Sequence, residues 1–210
     1  MRQGNRLLGT VIIIIGLLLV AMPLSRWGAS YYYQYRAMVA WEEQMPAIEA
    51  EPLEEPIEGE TVPTENKKEI PTGLPDADGM LHIPKIKLSA VVIHGVSEAD
   101  LKRGPGFYPQ SSHPETGNVS IAAHRGVYGS WFRNLDKLKT GDEITLVVGD
   151  KFYRYIVRES FITHSRDWSV VESTGKPELT LTTCLFTTNT KRLIVKADLV
   201  DTIQTTSQGE

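Results

Sequence analysis

One thiol, five imidazoles and one guanidinium near the thiol carry the chemistry that this 210-residue sequence offers. The thiol is Cys184, the only cysteine, at the end of the run Glu178-Leu-Thr-Leu-Thr-Thr-Cys184. That run is β-branched and apolar and contains no turn former, so it reads as a strand. Residues 185–190 are polar enough to form a turn, and residues 192–200 read as the returning strand. Pairing of the two strands would set Cys184 and Arg192 side by side at one rim of a sheet. A free cysteine at the end of an apolar strand is most often a small buried hydrophobe. Two observations weigh against that here. Thr182 and Thr183 are polar neighbours, and a nearby arginine favours the thiolate, which is the nucleophilic form.

A thiol and an imidazole are the minimal set for covalent acyl transfer. The sulfur attacks a carbonyl, and the imidazole moves the proton between nucleophile and leaving amine. The tetrahedral intermediate carries an oxyanion, which needs a donor such as arginine or a backbone N–H. Spacing alone does not choose among the five histidines. His82 alternates within an apolar run and reads as a face residue, His94 and His113 sit beside turn residues, and His164 opens a long connection. His124 closes the run Asn118-Val-Ser-Ile-Ala-Ala-His124, just as Cys184 closes its own, and is the favoured partner on that ground.

The remaining sequence must position these groups. The formal charge of −4 is unevenly spread. Ten glutamates against two lysines lie between Glu42 and Glu69, whereas acids and bases balance at 16 each from Ile70 onward. No basic stripe of the kind a nucleic-acid binder needs is present. With one cysteine there is no internal disulfide framework. Residues 7–24 form an 18-residue uncharged span, long enough for a membrane helix, and no small-x-small cleavage site follows it. Trp27, Tyr31, Tyr32, Tyr33 and Tyr35 suit the headgroup zone. An uncleaved anchor is favoured over a removed signal. The positive-inside count is nearly tied, and a cytoplasmic N-terminus rests on the long acidic and globular remainder lying outside.

The expected organisation is therefore a cytoplasmic tail over 1–6, a membrane anchor over 7–26, and a juxtamembrane helix with a Pro/Glu-rich linker over 27–78. A globular unit over 79–202 and a polar tail over 203–210 complete it. The linker reads as a solvated tether that lifts the domain off the membrane. Within the globular unit, strands are expected at 80–86, 88–92, 118–125, 143–148 and 151–163, the last two joined at Gly149-Asp150. A short helix is expected over 96–102 with Ser97 as its N-cap, and helical spacing appears over 129–138. Seven or eight short strands without βαβ alternation argue an all-β sandwich or closed barrel, and about 130 residues can bury an adequate core without disulfides.

Three motifs in this order resemble those of the sortases, membrane-anchored cysteine transpeptidases of Gram-positive bacteria. They are Ala122-Ala-His-Arg125, Leu179-Thr-Leu-Thr-Thr-Cys184 and Lys191-Arg-Leu-Ile-Val195, and the similarity extends from Leu81 to the last strand through Gly104-Pro-Gly-Phe-Tyr108. The resemblance implies an eight-stranded closed sortase-type β-barrel with short helices behind an N-terminal transmembrane helix. It implies Cys184 as nucleophile, His124 as general acid/base and Arg192 as substrate holder and oxyanion stabiliser. By the same resemblance, Thr183 would position the sorting signal, and Trp168, Val170 and Val171 would line the peptide groove, unless they are simply core. The implied reaction cleaves an LPxTG-like signal between Thr and Gly through a thioester. The acyl group then passes to an amine of a peptidoglycan precursor (lipid II), anchoring surface proteins to the cell wall. A pilin-polymerising sortase and a hydrolytic cysteine peptidase on the same fold are the alternatives. No lid motif is visible, no acidic cluster matches the calcium-binding members, and no metal or cofactor is expected. The single anchor and short chain look most like class D.

Overall fold

A computed structural model describes residues 2–44 and 78–204. It holds one long helix, α1 (Arg2–Gln44), and eight strands: β1 (Gly79–Ile83), β2 (Leu88–His94), β3 (Gly106–Phe107), β4 (Asn118–Ala122), β5 (Glu143–Val148), β6 (Lys151–His164), β7 (Glu178–Leu185) and β8 (Thr188–Gln204). A short helix, α2 (Glu98–Arg103), and 3-10 turns at Pro84–Ile86, Leu135–Lys137 and Trp168–Val171 fill the connections. The strands close into a barrel in the order β1-β2-β3-β4-β7-β8-β6-β5, so the expected all-β closed barrel is what forms. The Pro/Glu-rich segment 45–77 and residues 205–210 of the expected tail lie outside the described residues.

Alternation explains the closure. In β7, Leu179 and Leu181 point inward, fully buried, and in β4 so do Val119 and Ile121. Leu81, Ile83, Ile144, Leu146, Tyr155 and Val195 meet them across the interior, all without solvent exposure. A closed ladder leaves no strand edge along most of the circumference. β4 runs parallel to β7, with Ala122 beside Thr182, while β7 and β8 are antiparallel, with Cys184 opposite Arg192. Glu178 fixes the base of β7. Its carboxylate lies almost wholly buried, 3.2 Å from Lys196 Nζ and 3.1 Å from Arg158 Nη2, and accepts from Thr174 Oγ1 at 3.1 Å.

Several elements differ from the sequence expectation. The run 118–125 ends as a strand at Ala122, which leaves His124 and Arg125 in the following loop. The helical spacing over 129–138 yields only the 3-10 turn Leu135–Lys137, because Tyr128, Gly129 and Ser130 all take left-handed backbone conformations that break a helix. Helix α2 starts two residues later than expected, yet Ser97 caps it. The Ser97 hydroxyl accepts from Asp100 N, and the Asp100 carboxylate accepts from Ser97 N, forming a capping box.

The largest departure is where the helix lies: α1 runs unbroken to Gln44, and its second half packs against the barrel. Ser30 and Gln34, one turn apart, are buried there. The Gln34 amide pairs both backbone groups of Val91, taking its N–H at 2.9 Å and donating to its C=O at 3.0 Å. It fills the gap where the two-residue β3 is too short to cover β2. Gly104 makes room for it, since a Cβ there would come within 1.9 Å of Gln34 Nε2. Ser30 Oγ donates to the Tyr128 carbonyl at 2.8 Å, and Trp131 packs against Tyr31 with ring centroids 5.2 Å apart.

Candidate active site

The register decides which residues share a face. Because successive side chains alternate, Thr180, Thr182 and Cys184 lie on the face of β7 opposite to Leu179, Leu181 and Thr183. Arg192 opposite Cys184, and Ile194 opposite Thr182, lie on the same outer face. The parallel β4–β7 ladder ends at Ala122–Thr182, and the Ala123 N–H still donates to the Thr182 carbonyl at 3.2 Å. His124 follows in the loop two residues beyond that ladder, at the end of the barrel where Cys184 and Arg192 face each other across β7 and β8.

An outer face of a barrel is normally wet, yet Thr180 and Thr182 are buried. The connection between β6 and β7 covers them. Asn118 Nδ2 donates to the Val170 and Glu172 carbonyls, Ser120 Oγ donates to that of Val171, and Thr180 Oγ1 donates to Asn118 Oδ1 at 2.8 Å. Cys184 is half-buried, and the covering segment leaves a cavity of about 60 Å³ that is lined by Arg192, the residue opposite Cys184, and not by Cys184 itself. Trp168, Val170 and Val171 line that cavity together with Thr182 and Arg192, so the expected groove residues converge with the expected arginine. Their exposures differ: Val171 is buried, whereas Trp168 stands largely in solvent.

Thr183 has a different place. Its side chain turns inward, is 2% exposed, and donates to the Ala123 carbonyl at 2.8 Å. It ties β7 to the segment carrying His124 and does not face the groove. Tyr108, Thr163 and Asp167, which sequence reasoning overlooked, also line the cavity, as do Ser165 and Ile194. The Tyr108 hydroxyl is 3.0 Å from Thr182 Oγ1, and its ring meets that of Trp168 edge-on. Thr163 and Ser169 both donate to the Asp167 carboxylate at 2.5 Å, and these bonds hold its pKa below the ordinary value. The motif Gly106-Phe-Tyr108 was the one signal for Tyr108; Thr163 and Asp167 carried none.

His124 is half-buried, and its Nε2 is buried without a hydrogen-bond partner. Burial lowers its pKa below the usual imidazole value; Glu98 acts to raise it and Lys102 to lower it further. The ring rests 5.2 Å from that of Tyr128, over which Lys102 also lies, and Lys102 pairs with Glu98 at 2.7 Å. Burial thus favours the neutral imidazole, which has a ring nitrogen able to take a proton. Arg192 Nη1 donates to the carbonyls of Asn189 at 2.9 Å and Lys191 at 3.3 Å. These bonds tether the guanidinium to its own hairpin through one nitrogen and leave Nη2 and Nε for a bound oxygen. Beside the site, Arg125 is buried against Phe186 and bonded to Asp136 at 2.8 Å. Among the described residues no group of three or more His, Cys, Asp and Glu side chains is placed to hold a metal ion.

A half-buried thiol, a neutral imidazole and a tethered guanidinium beside a covered groove suit acyl transfer. Comparison with known proteins adds the lineage. A family model described as the sortase domain matches residues 81–200. This chain belongs to the sortase family. Sortase A of Bacillus anthracis is 33% identical over 126 residues, which are 59% of this chain and 60% of that protein. Sortase D of Bacillus subtilis (strain 168) is 33% identical over 110 residues, 51% of this chain and 54% of that protein. The match thus spans somewhat over half of each of these sortases. Among solved structures, a Clostridium perfringens sortase D5 transpeptidase superposes with a TM-score of 0.56 at 32% identity, covering 60% of this chain and 80% of that one. Sortase A of Listeria monocytogenes superposes with a TM-score of 0.58 at 28% identity, covering 63% of this chain and 92% of that one.

Proposed function

We propose that this chain is a membrane-anchored cysteine transpeptidase that cleaves an LPxTG-like sorting signal between Thr and Gly. In the first step, Cys184 Sγ bonds to the Thr carbonyl carbon while His124 takes the thiol proton. The intermediate then collapses, the C–N bond breaks, and His124 gives that proton to the departing Gly amine. A thioester remains. An incoming amine attacks it, passes its proton through His124, and leaves with the acyl group as the Cys184 thiol re-forms. Arg192 steadies the oxyanion of both tetrahedral intermediates through the nitrogens its hairpin does not use. Trp168, Val170, Tyr108 and Thr182 supply the groove for the signal peptide. The acceptor amine is that of a peptidoglycan precursor such as lipid II, and α1 holds the enzyme in the membrane with its N-terminus in the cytoplasm. Among the subclasses we favour class D, to which two of the similar proteins belong.

The observation that carries this proposal is the cross-strand pairing of Cys184 with Arg192, which lines the cavity with Trp168 and Val170, at the barrel end where the loop bearing His124 leaves β4. The test is to incubate the full chain in detergent with a library of LPxTG-like peptides, with and without candidate amines, and to analyse the products by mass spectrometry. Amide-linked products that disappear with Cys184→Ala and His124→Ala, at unchanged circular dichroism, are expected. Free acids alone, even with amine in excess, would leave a hydrolase and end the transferase reading. Products that persist in Cys184→Ala would end both.

A further inference from the structure

A second cavity, of about 490 Å³, lies away from Cys184, between α1 and the barrel. Trp27 and Tyr31 form its helical wall, and Lys87, Ser130, Trp131 and Arg133 line the barrel side. Ser130 is only 6% exposed, and its buried hydroxyl has no hydrogen-bond partner. A buried donor without a partner is costly and points to a polar ligand. Lys87 and Arg133 are exposed cations on the same wall, and among the described residues no carboxylate forms an ion pair with either. The Arg133 guanidinium instead sits 5.7 Å from the centre of the Trp27 ring. Two unpaired cations and a hydroxyl donor around one space are the recognition chemistry of a phosphate group.

Depth along α1 selects the kind of phosphate. The helix is apolar enough to cross a membrane, and its apolar stretch ends at Leu24. At about 1.5 Å per residue, Trp27 and Tyr31 stand roughly 5–10 Å beyond that point, where lipid headgroups lie. Their amphipathic rings suit that zone too. We propose that this cavity holds the phosphate of an anionic phospholipid headgroup, clamped between helix and barrel. The proposal rests on reading α1 as a membrane span. The lipid binds at the loop that follows His124, so the membrane surface contacts the element that carries the imidazole.

The test is native mass spectrometry of the full chain, released from detergent micelles with phosphatidylglycerol, phosphatidylcholine or inorganic phosphate. Phosphatidylglycerol adducts are expected to dominate. They should weaken about thirtyfold in the Lys87→Gln, Arg133→Gln double variant, the effect of two cations at an anionic surface. Ser130→Ala should weaken them further, and thermal melting checks that each variant folds. Equal retention of the two lipids, or undiminished phosphatidylglycerol binding by the double variant, overturns the proposal. Displacement of the lipid by inorganic phosphate at matched concentration also overturns it and assigns the cavity to free phosphate. Flotation of the wild-type chain with phosphatidylcholine vesicles tests the span separately. A chain that floats yet shows no lipid preference loses only the headgroup site, whereas one that fails to float loses the anchor and the proposal with it.

Discussion

Replacing Gln34 with alanine tests whether α1 is part of the barrel's structure. The Gln34 side chain is 3% exposed and pairs both backbone groups of Val91, itself 1% exposed. Truncation removes the only partners those two groups have on that side of β2, since β3 pairs only from Ile93 onward. An unpaired buried backbone group costs about 1–3 kcal/mol, and water entering the vacated space recovers part of it. A net local loss of about 2 kcal/mol is therefore expected, which corresponds to a roughly thirtyfold rise in the opening equilibrium. Amide hydrogen exchange on the full chain, read at Val91, should report that loss directly. Tyr35→Ala is the control, because Tyr35 projects into solvent. Unchanged protection of Val91 in Gln34→Ala would show that the helix does not dock in solution and would refute the pairing argued above. If the docking holds, exchange should also rise at residues 128–131, because Ser30 bonds the Tyr128 carbonyl from the same helical face.

Three further outcomes are expected. Arg192→Lys should cut kcat about a hundredfold with a smaller change in KM, since the lysine point charge cannot both bond its hairpin carbonyls and present a fork to the oxyanion; steady-state kinetics within threefold of wild type would reject the oxyanion role. Glu178→Gln should cost about 3 kcal/mol in urea unfolding by leaving Lys196 buried without its counter-charge. Burial alone would raise the Glu178 carboxyl, but its bonds to Lys196 and Arg158 outweigh this and set it below its ordinary value of 4.5. The wild type should therefore hold this stability above about pH 4.5 and lose it as the pH falls through the depressed value, and the variant should lack that slope. Glu98→Gln removes the carboxylate that raises His124 and frees Lys102, which lowers it. The His124 titration, followed by NMR, should move to lower pH, and an upward move would contradict the electrostatics described.

How much of this was legible in the sequence depended on whether a residue's partner lay on its own strand pair. The Cys184–Arg192 pairing could be read because β7 and β8 are consecutive and joined by a short turn. The hairpin at Gly149 was equally plain, where the glycine takes a positive φ in the turn. His124 was favoured on its position at a strand end, but what brings its loop to the end of β7 is a parallel ladder between β4 and β7, strands about 60 residues apart in sequence. No local pattern encodes that register. β3 escaped notice because its two residues, Gly106 and Phe107, are too few to show alternation. Asp167 and Thr163 escaped because a polar loop residue looks the same whether or not it closes over a groove.

The docking of the helix went unforeseen for a more general reason. Trp27, Ser30, Tyr31 and Gln34 stand at i, i+3, i+4 and i+7, the spacing of one helical face. Apolar residues at those positions would have announced a docking stripe. Here two of the four are polar, so the aromatics alone drew attention and suggested a headgroup belt. The polar members are what this surface requires, because the barrel presents unpaired backbone groups at Val91 and Tyr128 that a leucine could not satisfy. An amide that supplies both a donor and an acceptor stands in for the missing strand neighbour, and Gly104 keeps the approach open. A segment read only as a juxtamembrane helix thus closes the barrel on the side where β3 falls short. That same contact fixes the loop running from His124 to Trp131, so the imbalance between a two-residue strand and its longer neighbours is answered by the helix that leads from the membrane span.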